Sequence, residues 1–334
     1  MNLYQYIKTQ PFSLATPIMG YPGIQLTGAN IREIILDPNR QFEAIWALIE
    51  EFEPPVVFPL MDLTVEASGL NLQVEYPEDD VAFVGKHPVR VGDDLTNLKQ
   101  IDLLEAPRVK NYLQVIEKIA AKFDGVPGGF VIGPLSLAGL VMGVENLALA
   151  FIDAPEFVQE LLTILSEKLA QVAAEQENVG AQLVAVLEPT AMIISPAQFK
   201  QFVKPAVERI YRRLSGMSLL HICGFASHLV ELMARTGAQG LSLDFQVDLP
   251  LAEEMVPRNV VLWGNLDPVG VFLKGTPESI YRDTQELMTK MRLFDNFVVS
   301  SGCDLPARTP LENIRAFFDA VKEWEKKRAV SEAV

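Results

Sequence analysis

"MSLLHICG" (Met217–Gly224) and "GLSLDF" (Gly240–Phe245) are continuous apolar runs that each end in small or polar residues. An uninterrupted run, unlike an alternating one, suits a strand buried on both faces, as in a parallel sheet covered by helices. Reading outward, the same kind of run recurs as "ATPIMGYPG", "PPVVFPLMD", "GGFVIGPLS", "AQLVAVLEP", "NVVLWGNLD" and "NFVVSSGCD". Helical patterns lie between them. "NRQFEAIWALIEEFE" and "APEFVQELLTILSEKLAQVAAEQ" keep apolar residues at helical spacing. Ser195–Pro196, Thr276–Pro277 and Thr309–Pro310 each read as an N-cap followed by proline in the first turn.

Eight buried strands alternating with helices predict an α/β fold, a (β/α)8 TIM barrel. Over 1–334 we expect one barrel domain with an N-terminal extension and an insertion around 71–104. A doubly wound open sheet is the alternative, but no GxGxxG follows the first strand and no Walker loop is present. The charged tail after Trp324 is expected to fray.

The chain has 334 residues, 49% of them hydrophobic and 21% charged, which places it among globular proteins. Its net charge of -15 argues against a nucleic-acid partner, because phosphate neutralisation needs a basic footprint. The most apolar window, Gly128–Val144, is interrupted by Gly133, Pro134 and Gly139, so no membrane span is expected. The first residues lack the basic start and apolar centre of a signal peptide. Two cysteines give no disulfide framework, and a cytoplasmic location follows as the expectation.

Those two cysteines carry the chemistry. In a barrel, residues after the C-terminal strand ends gather at one mouth. His221 and Cys223 close the fifth run, Asp244 the sixth and Cys303 the eighth. Residues 221 and 223 point to the same side of an extended chain, so both can reach one metal ion. Cys303 would approach across the mouth. One histidine and two thiolates suit zinc, and three protein ligands leave a position open for chemistry. The competing account is two buried cysteines acting as small hydrophobes.

"HICG" followed by "GAQGLSLDFQVDL", "WGNLDP" and "SSGCDLP" resembles the uroporphyrinogen decarboxylase superfamily, within it the zinc-dependent cobamide methyltransferases. "PVVFPLMDLTVEASGL", "IGPLSLAGLVMG" and "EPTAMIISPAQFKQFVKP" extend the match in order. The resemblance implies a (β/α)8 barrel with zinc on His221, Cys223 and Cys303, and Asp244 in the position where the family can place an acidic fourth ligand. It also implies a methylcobamide co-substrate carried on a separate corrinoid-binding protein, and a small-molecule methyl acceptor or donor.

The rival within the same superfamily is a metal-free tetrapyrrole decarboxylase with Asp62 as its carboxylate. Against it, "TPIMGYPGIQLTGANIR" offers no arginine before Arg32 to grip a polycarboxylate. A third possibility is a non-catalytic module that docks the corrinoid protein. Asp62, Glu66 and Glu188 are further candidates at the mouth, as substrate contacts or supports for a ligand histidine. Their bland alternatives are a helix cap for Asp62 and a solvated helix face for Glu66. Asn265 is a possible lining residue and Asp267 reads as a cap. His87 and His228 lack partners at useful spacing.

Overall fold

The computed structural model describes residues 2–332. Nine strands follow in chain order: β1 (Val56–Val57), β2 (Val74–Glu75), β3 (Phe83–Val84), β4 (Val126–Ile132), β5 (Leu183–Leu187), β6 (Met217–Ile222), β7 (Gly240–Leu243), β8 (Val261–Leu266) and β9 (Phe297–Ser301). Seven form one parallel sheet in the order β1-β4-β5-β6-β7-β8-β9, and β2 and β3 form a separate antiparallel pair. Every residue of β4, β5 and β6 is buried, as continuous apolar runs require when helices cover one face and the barrel interior the other.

The first expected strand, "ATPIMGYPG", makes only an isolated parallel bridge, Ala15 to Val299. Thr16 N–H donates to Val299 O and Val299 N–H to Leu14 O, after which the ladder stops. Pro17 has no N–H, and Ile18 N–H turns to the Ser301 hydroxyl (3.0 Å). The Ser300 hydroxyl donates to Thr16 O at 2.6 Å. Serine side chains thus continue the pairing where backbone stops, and this stave curls the sheet into a (β/α)8 barrel.

Helix starts follow the expected chemistry with one exception. Ser195 and Thr276 each form a reciprocal capping box, with Gln198 and Ser279. Thr309 does not cap: its hydroxyl is buried without a partner, and Asn313 N–H bonds Pro310 O instead. The helix begun at Pro196 passes through a wide turn at Phe199–Val203 before resuming at Lys204–Tyr211. Pro205, lacking an N–H to donate one turn back, accounts for the widening.

The stretch 71–104 carries the β2–β3 pair and the short helix Thr96–Gln100, outside the main sheet. Within the described residues beyond Trp324 helix replaces the expected fraying, and the last two residues of that tail lie outside the described residues. The helix Leu311–Glu332 continues, and buried Glu325 accepts hydrogen bonds from the backbone N–H and hydroxyl of Ser13. Among the described residues no single helix is long and apolar enough to cross a membrane. The one apolar pair, Pro134–Met142 with Val144–Asp153, is bent by 105°.

Candidate metal centre and the mouth around it

His221 is the fifth residue of β6, and its register partner on β7 is Ser242. That pairing sets the imidazole: Nδ1 lies 2.9 Å from Ser242 Oγ. With Nδ1–H donating to the serine, Nε2 presents its lone pair to the mouth. Cys223 follows just past the strand end, with Sγ 2.9 Å from that Nε2. Cys303, two residues beyond β9, brings its Sγ to 3.4 Å from Cys223 Sγ and 3.5 Å from His221 Nε2. The three ligand atoms all lie within 4.8 Å of one another.

A tetrahedral zinc would hold nitrogen and sulfur roughly 3.5 Å apart and two sulfurs roughly 3.8 Å apart. The observed triangle is slightly tighter than that, and its donors are the soft and borderline type zinc takes. The residues therefore fit the ion. The thiols are electrostatically one system. Donation to Cys303, with burial, pushes the Cys223 thiol up, and accepting from Cys223 pulls Cys303 well below the usual thiol range, helped by His221. One thiolate shared between two sulfurs is the charge a cation would find.

Asp244 is buried beside this group but is not one of the three. Its Oδ1 accepts the Gln246 N–H at 3.0 Å, and its carbonyl accepts the Asn265 amide at 2.9 Å. Asn265 also donates to Val247 O, so it braces this loop, and Asp267 caps the turn after β8 through Val269 and Gly270 N–H. His87 and His228 each face a backbone carbonyl, of Leu140 and Ile194.

The carboxylates divide into two kinds. Glu188 is wholly buried at the end of β5, and its two oxygens accept Leu135 N–H (3.0 Å), Ser136 N–H (2.6 Å) and the Ser136 hydroxyl (2.5 Å). Those amides open the helix Pro134–Met142, so Glu188 caps it from a neighbouring strand. Burial outweighs these bonds and pushes its carboxyl up to about 7. Glu66 is also buried, in the short helix Val65–Gly69 rather than on a solvated face, and burial pushes it up to about 8.

Asp62 does something the sequence did not announce. Its Oδ2 meets Arg108 Nη2 at 2.5 Å, with side-chain exposures of 4% and 12% for the acid and the base. Its Oδ1 accepts both Thr64 N–H and the Thr64 hydroxyl. Arg108 also donates to Thr64 Oγ1, Tyr76 OH and Ile35 O, and it lies over the Tyr76 ring. Tyr21, Asp304 and Ser242 are further mouth residues that sequence reasoning missed. Tyr21 is 4% exposed and its hydroxyl has no hydrogen-bond partner. Burial, then Asp62 and Asp304, keep that hydroxyl protonated. Only Ser242 carried a signal: it stands two residues before Asp244 in "GLSLDF", on the same side of the strand.

The comparisons with known proteins agree with this architecture. The uroporphyrinogen decarboxylase (URO-D) family model matches residues 7–324. The methylcobamide:CoM methyltransferase MtbA of Methanosarcina acetivorans is 32% identical over 274 residues, 79% of this chain and 78% of the relative. The uroporphyrinogen decarboxylase of a Synechococcus species (strain CC9605) is 27% identical over 310 residues, 88% of this chain and 85% of its own. Among solved structures, a methyltransferase from Methanosarcina mazei superposes with a TM-score of 0.88 at 24% identity, covering 96% of this chain and 97% of that one. The chain belongs to the uroporphyrinogen decarboxylase family, and methylcobamide:CoM methyltransferases are among its relatives.

Proposed function

We propose that this protein is a zinc-dependent methyltransferase that moves a methyl group between a corrinoid, held on a separate corrinoid-binding protein, and a thiol or other small acceptor or donor. The observation that carries the reading is the His221–Cys223–Cys303 triangle, three metal-type donors from two non-adjacent strands with Nδ1 of the histidine already engaged. The methyltransferase relatives support it. In this reading the barrel acts as one domain in the cytoplasm.

Zinc, when bound, would favour the thiolate form of a substrate sulfur, which is the nucleophilic form. The protein's own groups do the rest. Ser242 fixes the imidazole so that Nε2 keeps its lone pair. Cys223 and Cys303 supply two anionic donors and so keep the centre electron-rich. Glu188 acts through the helix Pro134–Met142, holding that helix start against the end of β5, and is a positioning residue. Asp62 is occupied by Arg108 and acts as a shaping group, with buried Glu66 near it. Asp244 is our candidate for a fourth ligand, and that role requires its carboxylate to leave Gln246.

A uroporphyrinogen decarboxylase activity is the second reading, favoured by the family model and by decarboxylase relatives of similar identity. The pairing of Arg108 with Asp62 counts against it, since that guanidinium is already charge-neutralised within the protein. Two assays separate the readings. Protein purified without chelators is expected to hold about one zinc per chain and to demethylate methylcobalamin with a thiol, seen as the change in corrinoid absorbance. It is expected to leave uroporphyrinogen unchanged. A metal-free enzyme of full activity, or efficient decarboxylation, would refute the proposal.

A further inference from the structure

Cys223 and Cys303 are the two cysteines of the chain. They come from β6 and β9, which are not neighbours in the sheet, and lie 80 residues apart in sequence. Their sulfurs nonetheless stand 3.4 Å apart, closer than the roughly 3.8 Å that two sulfurs keep across zinc. A disulfide needs about 2.05 Å, so each sulfur has roughly 0.7 Å to travel. Both residues sit just past their strand ends, outside the ladders, and both are half-buried, whereas His221 is buried. A small solute in the mouth therefore meets sulfur before imidazole. The backbone beside Cys303 is held: Gly302 packs so closely on Phe245 that a Cβ there would stand 2.5 Å from the Phe245 nitrogen. The travel falls to the two side chains, and a small swing about each Cα–Cβ bond supplies it.

The geometry points to a redox switch built into the metal centre: under a peroxide Cys223 and Cys303 close to a disulfide, and that disulfide and a bound metal exclude each other. The inference rests on the metal reading of this triangle and needs no methyl transfer. One thiolate attacks a peroxide oxygen and breaks the O–O bond, becoming a sulfenic acid while the other oxygen leaves as hydroxide. The second thiolate attacks that sulfur, the S–S bond forms, and the S–O bond breaks to release a second hydroxide. The two protons given up by the thiols turn both hydroxides into water. Two thiols have then lost two electrons, and one peroxide has been reduced to two waters. A disulfide offers a metal no thiolate, so His221 is left alone of the three donors.

With two cysteines in the chain, an internal disulfide has one possible pairing. Reduced, metal-free protein is treated with a small excess of hydrogen peroxide, quenched, and examined by intact mass, thiol titration and non-reducing electrophoresis. The expected product is a monomer about 2 Da lighter, without free thiols. It is expected to take up no zinc in equilibrium dialysis, and dithiothreitol should restore both thiols and about one zinc per chain. Zinc-loaded protein given the same peroxide should release its metal to a chromogenic chelator as the thiols disappear. Cys223→Ser and Cys303→Ser each keep one thiol and should give no lighter monomer, with circular dichroism showing that both fold. Wild-type products about 32 or 48 Da heavier per sulfur, or disulfide-linked dimers, overturn the inference. So does oxidised protein that still holds its zinc. If the lighter monomer forms but the reduced protein takes up no zinc, the metal centre of the proposed function fails, and the exclusion of metal inferred here fails with it.

Discussion

The two halves of the mouth are built on opposite principles. Around β6 and β9, three donors converge on one point and satisfy one another poorly, with thiol and imidazole standing in for an ion. Around Asp62, the polar groups are closed on themselves, each oxygen of the carboxylate and four donors of Arg108 being engaged. The first arrangement is open to a ligand that completes it. The second is a finished ion pair whose role is to hold shape and withhold charge. Polarity near a strand end therefore does not by itself mark reactivity; unfinished coordination does.

That contrast breaks most sharply at the sulfurs. Cys303→Ala or His221→Ala is expected to abolish stoichiometric zinc, read by elemental analysis, while the circular dichroism of the barrel stays as in the wild type. Zinc retained in both variants would place the metal elsewhere. Ser242→Ala tests the support rather than the ligand, and a loss of about 10–100-fold in metal affinity is expected for a lost partner of a ligating histidine. The closed half should respond in stability instead. Arg108→Met leaves Asp62 buried and unpaired and is expected to cost about 3–5 kcal/mol in chemical denaturation, with zinc content unchanged. An effect below about 1 kcal/mol, the level of a surface pair, would mean that the pair is hydrated.

The smallest effect expected is in the pH dependence of folding. Glu66 and Glu188 have folded-state values raised to about 8 and about 7, above the ordinary glutamate value near 4.5. Burial thus favours their protonated forms. The stability this confers is fully present below about 4.5 and is lost progressively as pH rises through 7 and 8. Thermal midpoints between pH 5 and pH 8 should fall in that direction. Glu66→Gln and Glu188→Gln should each flatten the slope, the former at its upper end. A slope left unchanged by both substitutions would show that both carboxylates ionise freely in the folded protein.

Much of this was legible in the sequence, and the limits are physical. Continuous apolar runs located seven of the strands, because burial on both faces leaves no room for polar alternation. The first run misled in one respect: its prolines keep it apolar while removing the amides a full strand needs. HxC with a distant cysteine located the metal-type group, since period-two geometry is readable without coordinates. Arg108 was not legible. It follows Pro107 at an ordinary helix start, and nothing within the helix records that its partner lies 46 residues earlier. The N-terminal segment has no local arginine before Arg32, and the fold supplies a distant one, already paired. Glu66 and Glu188 follow the same rule: their environments come from tertiary packing.

The serine-mended seam between the first stave and β9 has a consequence for motion. Hydrogen exchange proceeds through the least costly openings of a fold, and here one backbone bridge, two serine hydroxyls and the Leu305 N–H on Ile18 O hold the stave against β9 and the loop after it. Thr16 and Ile18 are therefore expected to exchange faster than the amides inside the β4–β5–β6 ladders. Their opening would loosen β9, whose end leads to Cys303 two residues on. An ion shared between Cys303 and His221 ties β9 back to β6 from the other side. Loading the centre would slow exchange at Thr16 and Ile18, residues that touch no ligand atom, and the seam becomes a remote reporter of occupancy at the mouth.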